Sequence, residues 1–448
     1  MLESIQLDSL RRAALAAVPR HRSPMANPFI IGVVVRGAAF TDRAAETTAV
    51  VAALREPGAR LLVVGERRMG KTSVLRRAAE SATRRGGGAA LVDCGTAGTP
   101  VEVANRVLTQ AARAIGRDWA QAVSDLGRAL SLRLQLGTDP QTNLPTVSLE
   151  PSAAAIPRAE QPRMLEDVLR ALDARAARLR RPFGILLDEV QRLLVALGAD
   201  ASRESDALIA GEWRLRGILQ ELPHLSVVLA GSEPTLFAAM QTHGRAFYQQ
   251  FTPLHIGPIA AEHLSRWIDA RASGAGLRIT GIGAPCLELA GPRTRDVVQL
   301  ARAAFSRGVE DPRPRRARAR GEGHALVATA YADVVASQAD PFRRTWESLA
   351  GGQQQVLRAV AAADAGLTTG ATRDRFGLSA SGPVIKALAA LAEQRLIARD
   401  PSATPGWTFD NPFFRGWVVA NALPDIGMFL PITHRSAVRG QSSSAFNS

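Results

Sequence analysis

The sequence predicts an α/β fold, a parallel sheet covered by helices on both faces, with a helical lid and a separate C-terminal block. Three observations carry this. Five short apolar runs, LLVV (61–64), AALV (89–92), GILL (184–187), LSVVLA (225–230) and PLHI (253–256), are separated by long connections with helical spacing. Continuous apolar runs joined this way are the pattern of parallel strands buried on both faces. The first run leads directly into GERRMGKTS (65–73) and then into the helical pattern TSVLRRAAESA. After residue 350 the spacing changes to helix, short helix, helix and a two-stranded hairpin.

The chain has 448 residues, enough for two or three domains that each bury a core. Hydrophobic residues make up 46%, and no stretch resembles a membrane span, which needs ~20 consecutive apolar residues. The expectation is a cytoplasmic protein without a membrane segment. The patch AALAAV near the N-terminus, flanked by Glu3, Asp8, Arg11 and Arg12, does not have the form of a secretory signal. Cys94 and Cys286 lack the paired spacing of a disulfide framework or zinc site and read as packed thiols.

Lys plus Arg number 55 against 41 acidic residues, giving +14. Such a balance favours contact with a polyanion. Only Lys71 and Lys386 are lysines, however, and arginine-for-lysine usage also arises from codon bias, which scatters charge without making a binding face.

In chain order, residues 1–26 read as an N-terminal arm and 27–257 as the sheet domain. Within it, LSLRLQLGTDPQTNLPTVSLE (130–150) alternates apolar and polar residues about a turn, as an exposed hairpin between the second and third strands. Residues 258–310 form a helical lid, with Leu264, Trp267 and Ile268 on one face and Leu287 to Phe305 on another. DPRPRRARARGEG (311–323) cannot form a core and reads as a basic linker. Residues 324–420 are a winged-helix domain with a preceding helix, and 421–448 a tail.

The motif G-x-x-x-x-G-K-T sits where its chemistry needs it, between a strand and a helix. The cradle spans Gly65, Arg68, Met69, Gly70, Lys71, Thr72 and Ser73. Its backbone N–H groups wrap phosphates, and the helix N-terminus adds partial positive charge. Lys71 stands where a compact ammonium reaches the outer phosphates and a planar guanidinium fits poorly. The expected ligands are ATP and Mg2+, with the Thr72 hydroxyl on the metal. RPFGILLDEVQRL (181–193) is a buried strand ending in two carboxylates. Asp188 is expected to hold Mg2+ through water, since a hard cation prefers oxygen ligands and keeps most of its hydration shell. Glu189 is expected to polarise the attacking water.

Three further positions follow from their place in the pattern. Ser232, in VVLAGSEP, is placed to touch the γ-phosphate or the water, or simply to form a turn. Arg293 and Arg295, in AGPRTRDVV, are placed to reach the phosphates. Arg245 is a candidate to act in trans on a neighbour's nucleotide.

In the C-terminal block, GGQQQVLRAVAAA, TTGATRDRFGLS and SGPVIKALAALAEQRLI are three helices of a helix-turn-helix, and IARDPSATPGWTFD is its wing. Val384, Leu388 and Leu391 share one face of the third helix, and Lys386 lies opposite. With Arg373, Arg375 and Arg399 this block (345–420) is a candidate for double-stranded DNA, or equally for a protein partner or homo-oligomer contact.

Together NPFIIGVVVRGAAFTDRAAE, GERRMGKTS, LLDEVQ, LAGSEP, GPRTRDVVQLA and the ending WTFDNPFFRGWV resemble the archaeal-type P-loop ATPases of the AAA+ and STAND grouping, over about residues 27–420. The resemblance implies a five-stranded AAA+-like sheet and an ATP-driven switch that couples nucleotide state to the winged helix. It also implies that Phe40, Arg43 and Glu46 frame the adenine. The segment reads Asp42, Arg43, Ala44 where the family has Gly-Arg-Glu. FYQQFTP (247–253) has glutamines where an arginine often precedes the fifth strand. Slow hydrolysis is therefore expected, and a transcription regulator or binding module that uses ATP with little turnover is the alternative.

Overall fold

A computed structural model describes residues 26–32, 37, 40–115, 133–138, 145–150, 156–178, 181–231, 242–310, 321–362, 366–367, 369–400 and 403–424. The expectations for Ser232, for most of the N-terminal arm, for 311–320 of the linker and for most of the tail fall outside these residues. The chain forms two compact units, residues 31–264 with 292–297, and residues 1–30, 265–291 and 298–448.

The first unit contains α1 (Ala44–Arg55), β1 (Arg60–Val64), α2 (Lys71–Arg84), β2 (Gly88–Asp93), α3 (Pro100–Ile115), β3 (Arg133–Thr138), β4 (Pro145–Glu150), α4 (Gln161–Arg178), β5 (Phe183–Asp188), α5 (Val190–Leu197), α6 (Glu204–Gln220), β6 (Ser226–Gly231) and β7 (Thr252–His255). Five strands make one sheet in the order β2-β5-β6-β1-β7, with every neighbouring pair parallel. Successive residues of a strand point to opposite faces, so a strand covered on both sides must be apolar throughout. In β1, Leu62 and Val64 join a core with α3, α4 and α5, whereas Leu61 and Val63 join a second core with Val50 and Leu54 of α1 and Val74 and Leu75 of α2. Each such side chain, fully buried, contributes about 1.5–3 kcal/mol. At the sheet edge β7 is largely exposed and carries Pro253, which an edge strand tolerates because no ladder bond is lost on the open side. The expected hairpin is present as the antiparallel pair β3-β4, between β2 and β5 in the chain.

The second unit holds α7 (Ala261–Gly274) from Ser265 onward, α8 (Gly283–Ala290), α9 (Thr294–Glu310) from Val298 onward, α10 (Glu322–Ser337), α11 (Ala339–Glu347), α12 (Gly351–Ala362), α13 (Gly370–Phe376), α14 (Ser381–Glu393), β8 (Ile397–Arg399), β9 (Trp407–Phe409) and α15 (Pro412–Ala422). Helices α12 to α14 followed by the antiparallel pair β8-β9 form the expected helix-turn-helix with a wing. Val384, Leu388 and Leu391 are the buried face of α14, as their spacing predicts. Thr369 caps α13 through its hydroxyl, and Gly377 ends it in the left-handed region.

Three expectations need correction. The helical lid is not separate from the C-terminal block. A Cβ on Gly323 of α10 would lie 2.5 Å from the Thr280 carbonyl oxygen, and one on Gly308 of α9 would meet the Leu326 side chain at 3.0 Å, so these segments pack into one body. The arginine-rich piece therefore joins parts of one unit, and its final residues, Glu322 and Gly323, already belong to α10. Second, the N-terminal boundary lies later than residue 27. Phe29 is fully buried, with ring centres 6.0 Å from Trp267 and 6.2 Å from Phe305, while Asn27 donates to the Arg302 carbonyl and the Ser306 hydroxyl at 2.9 Å.

Third, the chain ends its winged block with α15, a helix the spacing does not announce. Pro412 to Val419 are all buried, so the helix has no polar face to give it a 3.6-residue period. Asn411 caps it, accepting from the Phe413 and Phe414 N–H groups, and Pro412 occupies the first turn. Phe413, Phe414 and Trp417 pack against Tyr331, Phe342 and Trp346. Among the described residues no helix is long and apolar enough to cross a membrane.

Candidate nucleotide-binding site

The site lies in the first unit, at the C-terminal ends of β1 and β5. Gly65 follows β1 because nothing larger fits: a Cβ there would stand 2.4 Å from the Ile256 carbonyl oxygen. The loop then turns through two left-handed residues, Arg68 at φ +70° and Gly70 at φ +94°. Gly70 is the N-cap of α2, whose first residue is Lys71. Met69 is buried beneath the loop. A curled main chain opening onto a helix N-terminus is the geometry that anion binding needs.

Lys71 is 6% exposed, and its Nζ donates to the carbonyl oxygens of Gly65 at 2.8 Å and Glu66 at 2.7 Å. Burial pulls its ammonium below the usual lysine range, and the Glu189 and Asp188 carboxylates oppose that shift. Thr72 Oγ1 donates to Asp188 Oδ2 at 2.6 Å. Burial raises Asp188 above the usual carboxylate range, while the Thr72 hydroxyl holds it down. Asp188 Oδ1 also accepts the Glu189 N–H at 3.0 Å. The fold thus brings together Lys71, Thr72, Asp188 and Glu189, as the sequence leads one to expect. Ser73 is largely buried on α2, one residue beyond this cluster.

The oxygen pair of Thr72 and Asp188 suits a hard, oxygen-seeking cation such as Mg2+. The left-handed loop opening onto the N-terminus of α2 suits a phosphate chain.

Arg293 belongs to the same unit and is brought to the loop. Its Nε donates to Glu66 Oε2 at 3.1 Å, and its residue is 8% exposed. Two neighbours reinforce this approach. The Arg295 N–H donates to the Arg68 carbonyl at 3.2 Å. Arg68 Nη1 lies 3.3 Å from Asp296 Oδ2, and Asp296 is 2% exposed. Burial raises Asp296 above the carboxylate range, and Arg68 and Arg293 work against it.

Two arginines have different surroundings from those expected. Arg43 is 6% exposed, and its guanidinium donates to Glu46 at 2.7 Å, to the Gly257 carbonyl at 2.6 Å and to the Met69 carbonyl at 3.3 Å. It braces the phosphate loop from below. Arg245, the candidate for action in trans, donates through two nitrogens to Glu212 at 3.1 and 2.6 Å. Glu212 is fully buried, so Arg245 serves its own chain. Of the other segment residues, Phe40 lies under the Arg77 guanidinium, 5.9 Å from its ring centre. Cys94 and Cys286 are buried free thiols, and burial lifts Cys94 to about 12.

The sequence reading missed Glu66, Asp296 and Gln191. All three lie inside GERRMGKTS, LLDEVQ or GPRTRDVVQLA, but no spacing rule marks the partners of Glu66 and Asp296. Gln191 donates through Nε2 to Glu189 Oε2 at 2.5 Å.

A parallel sheet in this order, with a glycine-rich loop after β1 and an acid pair after β5, defines a P-loop nucleoside triphosphatase fold. Residues 39–228 match the AAA ATPase domain family, to which this stretch of the chain is similar. Among solved structures, a Walker-type ATPase of Pyrococcus abyssi is similar at 16% identity, covering 87% of this chain and 99% of the other, with a TM-score of 0.54. The ORC1 protein of Aeropyrum pernix in complex with DNA is similar at 19% identity over 88% and 96% of the chains, with a TM-score of 0.43. Drosophila ORC bound to DNA matches at 14% identity over 93% and 100%, with a TM-score of 0.40. At these identities the likeness is one of fold. A comparison with curated proteins finds no match.

Proposed function

We propose that this chain binds ATP with Mg2+ and hydrolyses it slowly as a molecular switch, with nucleotide state coupled to the winged-helix block. The observation that carries the reading is the Thr72–Asp188 hydrogen bond of 2.6 Å beside the buried Lys71 amine. It joins the phosphate loop to the acid pair in one polar cluster.

In this reading Lys71 exchanges its Gly65 and Glu66 carbonyl partners for the outer phosphates. Thr72 and Asp188 would hold Mg2+, which would supply positive charge against the phosphates. Glu189 accepts a proton from the attacking water. Arg293 leaves Glu66 for the γ-phosphate. Arg43 keeps the loop in shape from below through the Met69 carbonyl.

A second reading, a regulator or binding module that uses ATP with little turnover, is favoured by Arg245. Its bidentate pairing with buried Glu212 removes a charge that a neighbouring site would use. Titration with a fluorescent ATP analogue and Mg2+, followed by phosphate-release kinetics with and without duplex DNA, separates the two. The switch requires binding and measurable turnover, both lost in Lys71→Ala. Binding without turnover selects the second reading, and no binding rejects both.

The winged block is assigned double-stranded DNA as its partner. Exposed Arg375, Lys386 and Arg399 lie on α13, α14 and the wing, and exposed Arg395 lies in the turn before β8. Arg399 lies over Trp407 at 5.9 Å, and Arg375 over Phe376 at 5.4 Å, which presents both guanidinium groups on rigid platforms.

A further inference from the structure

We propose that Gln191 is a positioning residue for Glu189, holding its carboxylate for water activation. The inference rests on the reading of Glu189 as the proton acceptor. In a regular helix, residues two apart do not face each other. Here Glu189 is the N-cap of α5 with φ +53°, and this left-handed turn brings its carboxylate to the amide of Gln191, with Nε2 and Oε2 2.5 Å apart. The orientation of the amide follows from its chemistry. Turned over, its oxygen would face a carboxylate oxygen, two acceptors with no proton between them.

The arrangement works against stability twice. A non-glycine residue in the left-handed region is strained. Gln191 Oε1 is buried with no hydrogen-bond partner. A buried acceptor without a donor is destabilising, so an apolar residue of similar length would suit the fold better. The buried face of α5 consists of Val190, Leu193, Leu194 and Leu197, and Gln191 does not belong to it. What the amide supplies is a donor to Glu189. The adjacent strand end cannot supply one, because Asp93, in register with Asp188, is itself a carboxylate whose Oδ1 accepts the Gly95 N–H at 2.7 Å. Strain and an unsatisfied polar atom at neighbouring residues, both centred on one carboxylate, are what a functional constraint leaves behind.

The test is a two-by-two set of parent, Gln191→Met, Glu189→Gln and the double variant, read by binding of a fluorescent ATP analogue, single-turnover hydrolysis and thermal midpoint. Gln191→Met is expected to bind the analogue within about twofold of the parent and to lower the turnover rate about tenfold or more, since misplacing a reacting group is costly. Its midpoint is expected to stay level or rise. In the Glu189→Gln background the same change should alter the residual rate little, because the group it positions is already gone. Parental turnover in Gln191→Met overturns the positioning role alone, as does an equal loss in both backgrounds. A parent that binds the analogue but never turns it over overturns the reading of Glu189 and this role with it. Should Gln191→Met lose its fold, Gln191→Glu decides: it keeps the length, removes the donor, and must lose turnover with binding retained.

Discussion

Thr72 Oγ1 lies 2.6 Å from Asp188 Oδ2, tying the first turn of α2 to the end of β5 across 116 residues of sequence. The bond fixes the phosphate loop relative to the acid pair before any ligand arrives. It also places Glu189, the next residue, at the edge of the same polar cluster.

Glu189→Gln keeps the size of the side chain and removes its basicity. Binding of the ATP analogue should be retained while the hydrolysis rate falls by about 10²-fold or more, the usual contribution of a positioned general base. Steady-state phosphate release measures this, and parental turnover would reassign the water-activating role.

Arg245→Ala should lower stability rather than act on a neighbour's nucleotide. Removing the guanidinium leaves Glu212, fully buried, without its bidentate partner. The loss of one member of such a pair costs about 3 kcal/mol. Urea unfolding gives the stability change. In mixtures of Arg245→Ala with parent, turnover per active site should not depend on the mixing ratio.

Asp296 makes stability depend on pH in a defined direction. Burial raises its folded pKa above the unfolded value, with Arg68 and Arg293 opposing. Between the two values the folded protein holds a proton that the unfolded chain has released, so this residue's contribution becomes less favourable as pH rises. It is fully unfavourable above the folded value. Asp296→Asn does not titrate, so its thermal midpoint relative to the parent should improve as pH rises above the ordinary carboxylate range. A difference that is flat, or that moves the other way, would count against the burial argument.

Lys386→Ala and Arg399→Ala should weaken binding to duplex DNA to a similar extent for all sequences. Each should also reduce the slope of log K against log salt by about 1, the signature of one lost phosphate contact. Anisotropy titrations at several salt concentrations read both quantities. Unchanged slopes would direct attention to a protein partner for the winged block.

Much of the first unit is legible in the sequence because its signals are local. A strand covered on both faces must be apolar at every position, and LLVV and GILL are. The glycine at position 65 answers to one steric fact, the Ile256 carbonyl 2.4 Å from where a Cβ would be. Helix α15 escaped the same reading because burial on all sides erases the amphipathic period.

By itself the sequence determined the strand and helix types, the phosphate loop, the acid pair and the three helices and wing of the C-terminal block, all set by side-chain patterns within a few residues of one another. Only the tertiary structure decided the strand order, the union of the lid with the C-terminal block, and the partners of the arginines. Arg293 with Glu66 and Arg68 with Asp296 are joined across 227 and 228 residues, and Arg245 is committed to Glu212. A guanidinium pairs with whichever carboxylate the folded chain brings within reach, and in a chain rich in arginine no spacing along the sequence names it.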